Sequence, residues 1–352
     1  IKTFLEPMES FAYFMQKNKI KVYFLGAGAF AVPFLDALSR AENIELVGVG
    51  TQPDKPSGRK RLPKPTPLGG FADAVGIPCR RVSSVSSEEF MQLMEELQPD
   101  IVVVDSFGQI LRERLLNFPR LGCLNVHGSI LPKYRGASPL ASSILAGDTV
   151  NGITFMRMDK GLDTGPIYSI TTMDVPPNMN TQTLEIALSE LGARSIAEII
   201  GRIAEGLRPV PQDESKATFT RKIHKSDGSI RWEEPAEILE RKIRAYHPWP
   251  ASTFRITGKN GGIQLVKITE ARQVPGCGKP GTTLLCEKRW IVACGRGAIE
   301  ILRIIPEGSR EMNAVDFIRG LGNPGLVKQV FDGPLPPPSE PKPSIQEKKS
   351  DS

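Results

Sequence analysis

The chain has 352 residues, of which 40% are hydrophobic and 24% are charged. This length and composition are typical of a folded protein with two domains. No apolar run approaches the roughly 18 residues that a membrane-spanning helix needs, so we expect no membrane partner. The five cysteines show neither CxxC nor metal-ligand spacing, which favours free thiols in a reducing compartment and no metal site.

Strands and helices alternate through the first 150 residues. A first strand is predicted at 20–25, with Gly26-Ala-Gly28 as the turn that follows it. The next predicted elements are helix 30–39, strand 44–50, helix 87–97, strand 101–104 and strand 122–126. The run at 101–104 is continuously apolar, as in a strand covered on both faces. The alternation predicts an α/β fold with a doubly wound, mostly parallel, Rossmann-like sheet.

The remaining sequence predicts a second domain of a different class. Strands at 151–158 and 166–175 are followed by one long amphipathic helix at 180–207, with Asn180 as its cap. Beyond a polar, proline-containing stretch, short alternating runs between two helices predict a small, mostly-β, OB-like barrel; the helices are Ala236–Ala245 and Ala314–Leu321. The expected organisation is an N-terminal extension (1–18), a catalytic domain (19–206), a linker (207–225), a β-barrel domain (226–332) and a disordered tail (333–352).

The stretch Leu-Asn-Val-His-Gly-Ser-Ile-Leu-Pro-Lys-Tyr-Arg-Gly at 124–136 carries one of only three histidines. Asn125 and His127 stand two positions apart at the end of a predicted strand, so their side chains share a face. Open parallel sheets place their chemistry at this carboxyl edge. An amide can polarise a carbonyl oxygen and an imidazole can move a proton, as acyl transfer requires. The residues alone leave open that both only cap loop backbone groups.

Asp163 lies between Gly161 and Gly165 in a predicted turn. One interpretation is a turn aspartate that bonds its own backbone. The other is a carboxylate that orients His127 and raises the pKa of its ring. The sequence does not decide between them.

The basic residues are unevenly distributed. Residues 207–332 contain 21 Lys and Arg against 14 Asp and Glu, a net charge of +7 in a chain whose total is +6. A second basic cluster, residues 55–64, has five basic residues interleaved with prolines, which predicts an exposed loop outside helix and sheet. Both features suit a polyanionic partner such as RNA, or simply a solvated surface. Glu6 and Glu9 argue against a transit peptide, so we expect a cytoplasmic protein.

Two further motifs favour structural roles. Gly26, Gly28 and Ala31 satisfy the loose form of a dinucleotide fingerprint, but no acidic residue closes the second strand, so the signal for nicotinamide binding is weak. Trp249, in the motif Arg-Ala-Tyr-His-Pro-Trp-Pro, is interpreted as a core residue rather than a stacking platform.

From about residue 20 to 330 the chain resembles the methionyl-tRNA formyltransferase family. In the first half the resemblance is carried by Thr-Gln-Pro-Asp-Lys-Pro-Ser-Gly-Arg at 51–59, by the stretch at 124–136, and by Met-Asp-Lys-Gly-Leu-Asp-Thr-Gly at 158–165. In the second half it is carried by Ile-Arg-Ala-Tyr-His-Pro-Trp-Pro at 243–250, Pro-Glu-Gly at 306–308 and Met-Asn-Ala-Val-Asp-Phe at 312–317.

The resemblance implies that a formyl group passes from 10-formyltetrahydrofolate to the amino group of methionine on initiator tRNA. Asn125 and His127 would stabilise the oxygen of the tetrahedral intermediate, and Asp163 would hold His127 and help to take the proton. The implied folate contacts are Ser129, Ile130, Leu131 and Pro132, with Phe107, Gly108 and Ile110 in a loop beside the pterin pocket. The implied tRNA contacts are Arg59, Lys60, Arg61 and Lys64. No metal is implied, and we expect a monomer.

Two rival functions remain open. A formyltransferase acting on an amino sugar nucleotide would share Asn125, His127 and Asp163, but the basic segments and the absence of a fused sugar-nucleotide domain count against it. A noncatalytic RNA-binding protein on an inactivated scaffold predicts the loss of at least one of these three residues, and all three are present.

Overall fold

A computed structural model describes residues 19–57, 62–285, 288–322 and 327–333. The chain divides into two compact units, Ile1–Lys222 and Ile223–Ser352. The expected N-terminal extension and, apart from Gly333, the expected tail lie outside the described residues. No described helix is both long and apolar enough to cross a membrane.

The first unit is built on a seven-stranded sheet with the order β10-β9-β7-β6-β1-β2-β5. Its strands pair in parallel except at β9, which is antiparallel to both β7 and β10. The predicted doubly wound, mostly parallel sheet is therefore confirmed. The strands are β1 Ile20–Gly26, β2 Ile44–Thr51, β3 Lys55–Ser57, β4 Leu62–Lys64, β5 Cys79–Arg81, β6 Ile101–Asp105, β7 Cys123–His127, β8 Arg135–Gly136, β9 Val150–Arg157, β10 Ile167–Asp174 and β11 Phe219–Thr220.

Side-chain caps mark the starts of several helices of this unit. Thr66 and Ser87 each accept a hydrogen bond from the backbone three residues ahead, and Asn180 forms a capping box with Thr183. The helices are α1 Val32–Arg40, α2 Pro67–Val75, α3 Glu88–Leu97, α4 Glu113–Leu116, α5 Pro139–Ala146, α6 Thr181–Ala193 and α7 Ile196–Ala204.

The single long helix expected at 180–207 is wrong, because two helices, α6 and α7, occupy this stretch. The break falls at Ser195, whose hydroxyl donates to the Gly192 carbonyl at 3.1 Å. Serine competes with helical backbone bonding in this way, which the apolar spacing on either side of it conceals.

The sheet is buried on both faces, as the apolar run in β6 predicted. Every residue of Ile101–Asp105 is buried. On one face Val102 and Val104 join a cluster with Phe90 and Met94 of α3. Apolar burial on this scale, about 1.5–3 kcal/mol for each large side chain, fixes the strand edges that carry the candidate site.

The basic cluster 55–64 does contain strands, which corrects the expectation that it lies outside the sheet structure. β3 and β4 form an antiparallel hairpin in which Lys55 pairs with Lys64 and Pro56 with Pro63. A two-stranded ribbon has only edge strands, and edge strands tolerate proline. Lys64 is exposed, whereas the predicted contacts Arg59, Lys60 and Arg61 lie outside the described residues.

The second unit is a six-stranded antiparallel sheet flanked by two helices. The strands are β12 Ser252–Thr257, β13 Ile263–Val274, β14 Thr283–Leu285, β15 Trp290–Ala293, β16 Ala298–Pro306 and β17 Met312–Asn313, and the helices are α8 Ala236–Ala245 and α9 Ala314–Leu321. Five strands follow the order β12-β13-β16-β15-β14, and β17 pairs with β16. Phe331 bridges Arg255 in β12 while Gln329 bridges Thr282 beside β14, so the last described segment joins both edges and curls the sheet toward a barrel.

The interpretation of Trp249 as a core residue is wrong, because its side chain is 57% exposed. Trp232 and Trp290 supply the buried indoles instead, each packed edge-on against Phe254. The core lies between α8, α9 and the sheet. An aromatic residue in a turn after a helix gives no periodic signal of which way it faces.

Candidate active site

Asn125 and His127 lie at the carboxyl half of β7, between β6 and β9. Asn125 is opposite Val104 in β6, and His127 is opposite Thr154 in β9. Strand alternation puts both side chains on one face of the sheet. His127 is buried and Asn125 is half-buried, so the amide is the more accessible of the two groups.

The hydrogen bond of His127 to the backbone assigns its tautomer. Nε2 lies 3.0 Å from the Tyr134 carbonyl oxygen, and since a carbonyl only accepts, Nε2 must carry the proton. In the neutral ring Nδ1 is then bare. Burial lowers the pKa of His127 below its usual value, while the Asp163 carboxylate and the Tyr134 carbonyl act in the opposite direction. The ring is therefore neutral near pH 7, with Nδ1 ready to accept a proton.

The structure brings Asp163 to His127, although the two belong to separate segments. Asp163 Oδ2 lies 3.7 Å from Nδ1, which is an electrostatic contact rather than a hydrogen bond. The same oxygen accepts the backbone N–H of Gly136 at 2.7 Å. The local turn bonds belong to Asp159 instead, whose Oδ1 accepts from the Gly161 backbone and the Thr164 hydroxyl. The carboxylate of Asp163 is thus free of its own turn and faces the imidazole.

The segment predicted to contact folate is a tight turn with two faces. Ser129 and Leu131 are buried, and the Ser129 hydroxyl donates to the Lys133 carbonyl at 2.6 Å. The Thr154 hydroxyl donates to the Ser129 carbonyl at 2.6 Å and accepts from the Leu131 backbone at 3.1 Å. The other two residues, Ile130 and Pro132, are only partly buried. Ser129 and Leu131 therefore fix the turn, while its partly buried residues form its accessible side.

The second predicted folate segment also combines a fixed base with an exposed tip. Phe107 is buried, and its carbonyl accepts from Gln52 Nε2 at 2.5 Å. Gly108 has a φ of 78°, and a Cβ there would come within 2.6 Å of that Gln52 nitrogen, so the position favours glycine. Ile110 is 86% exposed.

A cavity of about 340 Å³ lies beside the loop that carries Asp163. It lies between α4 and the β9–β10 loop, and none of its lining residues was named as a site residue from the sequence. Its wall includes apolar Leu116 and Met158 next to polar Asn117 and Asp159; the full lining is Glu113, Leu116, Asn117, Arg157, Met158, Asp159, Lys160 and Pro166. The motif at 158–165 could have indicated part of this wall, whereas α4 gave no signal.

Asp105 at the end of β6 belongs to a different environment. It pairs with Gly26 and is fully buried. Burial raises the pKa of its carboxyl to about 8, helped by Glu185 and opposed in part by the Ser106 side chain. Neither carboxyl oxygen meets hydrogen-bond geometry with a described residue. Within the described ranges, no group of three or more His, Cys, Asp or Glu residues could hold a metal ion.

Comparison with known proteins shows the family of the chain. Residues 18–200 match the formyl transferase family model, and residues 222–322 match that of the formyl transferase C-terminal domain. A methionyl-tRNA formyltransferase of Chloroflexus aggregans is 39% identical over 313 residues, covering 88% of this chain and 99% of that protein. The chain belongs to the methionyl-tRNA formyltransferase family.

A second member of the methionyl-tRNA formyltransferase family, from Paramagnetospirillum magneticum, is 38% identical over 303 residues, covering 86% of this chain and 97% of that protein. Among solved structures, HypX from Aquifex aeolicus in complex with tetrahydrofolic acid matches with a TM-score of 0.59 and 15% identity, covering 86% of this chain and 48% of that one. At this identity the likeness concerns the fold alone.

Proposed function

We propose that this protein transfers the formyl group of 10-formyltetrahydrofolate to the α-amino group of methionyl initiator tRNA. The observation that carries the proposal is that the Asp163 carboxylate faces a neutral His127, whose strand also carries the half-buried Asn125 on the same face. Its second support is the family membership, which spans both units of the chain.

The three side chains suit attack of an amine on a formyl carbon. As the new C–N bond forms, the carbonyl becomes an oxyanion, which the Asn125 amide stabilises by donating a hydrogen bond. The proton of the attacking nitrogen passes to the bare Nδ1 of His127, and the Asp163 carboxylate stabilises the resulting imidazolium. As the bond to the folate nitrogen breaks, the His127 imidazolium donates this proton to that nitrogen, the leaving group. His127 thus acts first as base and then as acid.

The folate donor is placed by the two turns. The exposed or partly exposed residues Ile110, Ile130 and Pro132 contact the donor, while Phe107, Gly108, Ser129 and Leu131 support them.

The acceptor tRNA is bound through its phosphates. Lys64 lies exposed on the β3–β4 hairpin, and Arg59, Lys60 and Arg61 belong to the segment that connects these two strands. Single substitutions of Arg59 or Arg61 by alanine should weaken tRNA binding and flatten its dependence on salt, because fewer counterions are released.

We place the protein in the cytoplasm as a monomer.

The amino sugar nucleotide rival is tested by offering both acceptors. The protein is incubated with 10-formyltetrahydrofolate and either methionyl-tRNA or an amino sugar nucleotide, and the formylated product is measured. We expect transfer to methionyl-tRNA, and a decrease on the order of 10²–10⁴ in His127→Ala. Transfer only to the sugar would establish the rival, and no transfer to either acceptor would refute both.

A further inference from the structure

Gln212 contacts the loop of the candidate site from a segment that the sequence presented as a linker. Its Nε2 donates to the Asp163 carbonyl at 2.8 Å and to the Gly165 carbonyl at 2.7 Å. The segment itself is held beside β10, because Val210 and Ile167 exchange two backbone hydrogen bonds of 2.8 Å. The glutamine is therefore fixed in place and binds the backbone of the residue that faces the imidazole.

Arg135 orients the Gln212 amide. Its side chain is buried, and its Nε and Nη2 lie 3.1 and 2.8 Å from Gln212 Oε1. Its remaining bonds go to Glu214, at 2.8 and 2.6 Å. A guanidinium only donates and a carbonyl only accepts, so only one orientation of the amide fits. All four hydrogen bonds that a glutamine amide can make are then formed.

Asp163 is consequently held at both ends. Gln212 binds its carbonyl, and the Gly136 backbone, next to Arg135, binds its carboxylate at 2.7 Å. Between these anchors its φ is 54°, in the left-handed region. A residue with a Cβ seldom adopts this conformation, which persists where the surroundings fix it.

We propose that Gln212, oriented by Arg135, is a positioning residue that holds the Asp163 carboxylate opposite His127 for formyl transfer. The kinetic part of this inference rests on the proposed function, whereas the positioning itself does not. Releasing the loop lets the carboxylate move, and a misplacement of about 1 Å costs about 10² in rate. Gln212→Met, which keeps the length and charge but forms none of the four bonds, should therefore lower kcat about 10²-fold and leave both KM values little changed.

Titration of the histidine ring tests the positioning without any substrate. The chain has only three histidines, so variants that each lack one histidine assign the imidazole NMR signals. The Asp163 carboxylate raises the pKa of His127, so in folded Gln212→Met that pKa should fall below the wild-type value. The matched control is Gln98→Met, because Gln98 is exposed and donates one bond to the Glu95 carbonyl. An unchanged His127 titration in folded Gln212→Met overturns the proposal.

A second variant covers the case in which Gln212→Met does not fold. Gln212→Glu keeps an acceptor for Arg135 but turns a second oxygen toward the two loop carbonyls, so kcat should again fall by about two powers of ten. Wild-type kcat in this variant also overturns the proposal. If wild-type protein transfers no formyl group while the His127 titration still shifts in Gln212→Met, the proposed function fails and the positioning role stands.

Discussion

The role of the Asp163 charge can be tested with a nearly isosteric substitution. Asp163→Asn keeps the shape of the side chain, and its amide oxygen can still accept the Gly136 N–H that now binds Oδ2 at 2.7 Å. What disappears is the negative charge 3.7 Å from Nδ1 of His127. The variant therefore separates electrostatic stabilisation of the imidazolium from the packing of the loop.

The distance sets the expected size of the effect. Two unit charges about 3.7 Å apart interact by about 4 kcal/mol at an effective dielectric constant near 20, which corresponds to about a thousandfold in rate. The Asp163 side chain is 15% exposed, so solvent screens part of this interaction. We expect kcat to fall by about 10²–10³-fold, with the KM for methionyl-tRNA little changed.

Single-turnover formyl transfer with saturating donor measures this directly. The matched control is Asp36→Asn, because Asp36 is a partly exposed carboxylate paired with Arg40 at the protein surface. A wild-type rate constant in Asp163→Asn refutes the assigned role of the carboxylate. An equal loss in Asp36→Asn would instead show that the assay reports general damage.

Three further predictions concern stability and donor binding. The folded pKa of Asp105 is about 8, above the pKa of a carboxyl in the unfolded chain, so the free energy of unfolding decreases as the pH rises toward 8. In urea titrations Asp105→Asn should therefore raise the free energy of unfolding more at pH 8 than at pH 5. Equal gains at the two pH values would contradict this. Burial lowers the folded pKa of His127, so its contribution to the free energy of unfolding is present above about pH 6.5 and is lost as the pH falls. In His127→Gln the free energy of unfolding should therefore fall less on acidification, and a pH dependence like that of wild type would count against this reasoning. Ile110→Asp, at an 86% exposed position, should raise the KM for the folate donor without lowering Tm, and a donor KM like that of wild type would remove Ile110 from the site.

Local patterns were enough to predict most elements of this fold. The apolar run at 101–104 and the short run before His127 became adjacent parallel strands, β6 and β7. Helices α8 and α9 begin and end at the predicted residues. These features depend on side-chain periodicity and burial within one segment, which the sequence displays directly.

Features that depend on two distant segments left no local pattern in the sequence, and the pairing of Asp163 with His127 was expected only from the family resemblance and as one of two interpretations of its turn. The 3.7 Å approach of Asp163 to His127 requires the Gly136 backbone as an anchor, and no spacing rule encodes that contact. Gln212 lies in a polar stretch without periodicity, so its four hydrogen bonds had no signal in the sequence. The exposure of Trp249 likewise follows from which other indoles fill the core.

The central claim is that a neutral His127 accepts the proton of the attacking amine at Nδ1. The most direct measurement is the rate constant for one turnover of formyl transfer to methionyl-tRNA by wild type and His127→Asn under saturating donor. We expect formylmethionyl-tRNA from wild type and a rate lower on the order of 10²–10⁴ in the variant. Equal rates in the two proteins would contradict the account.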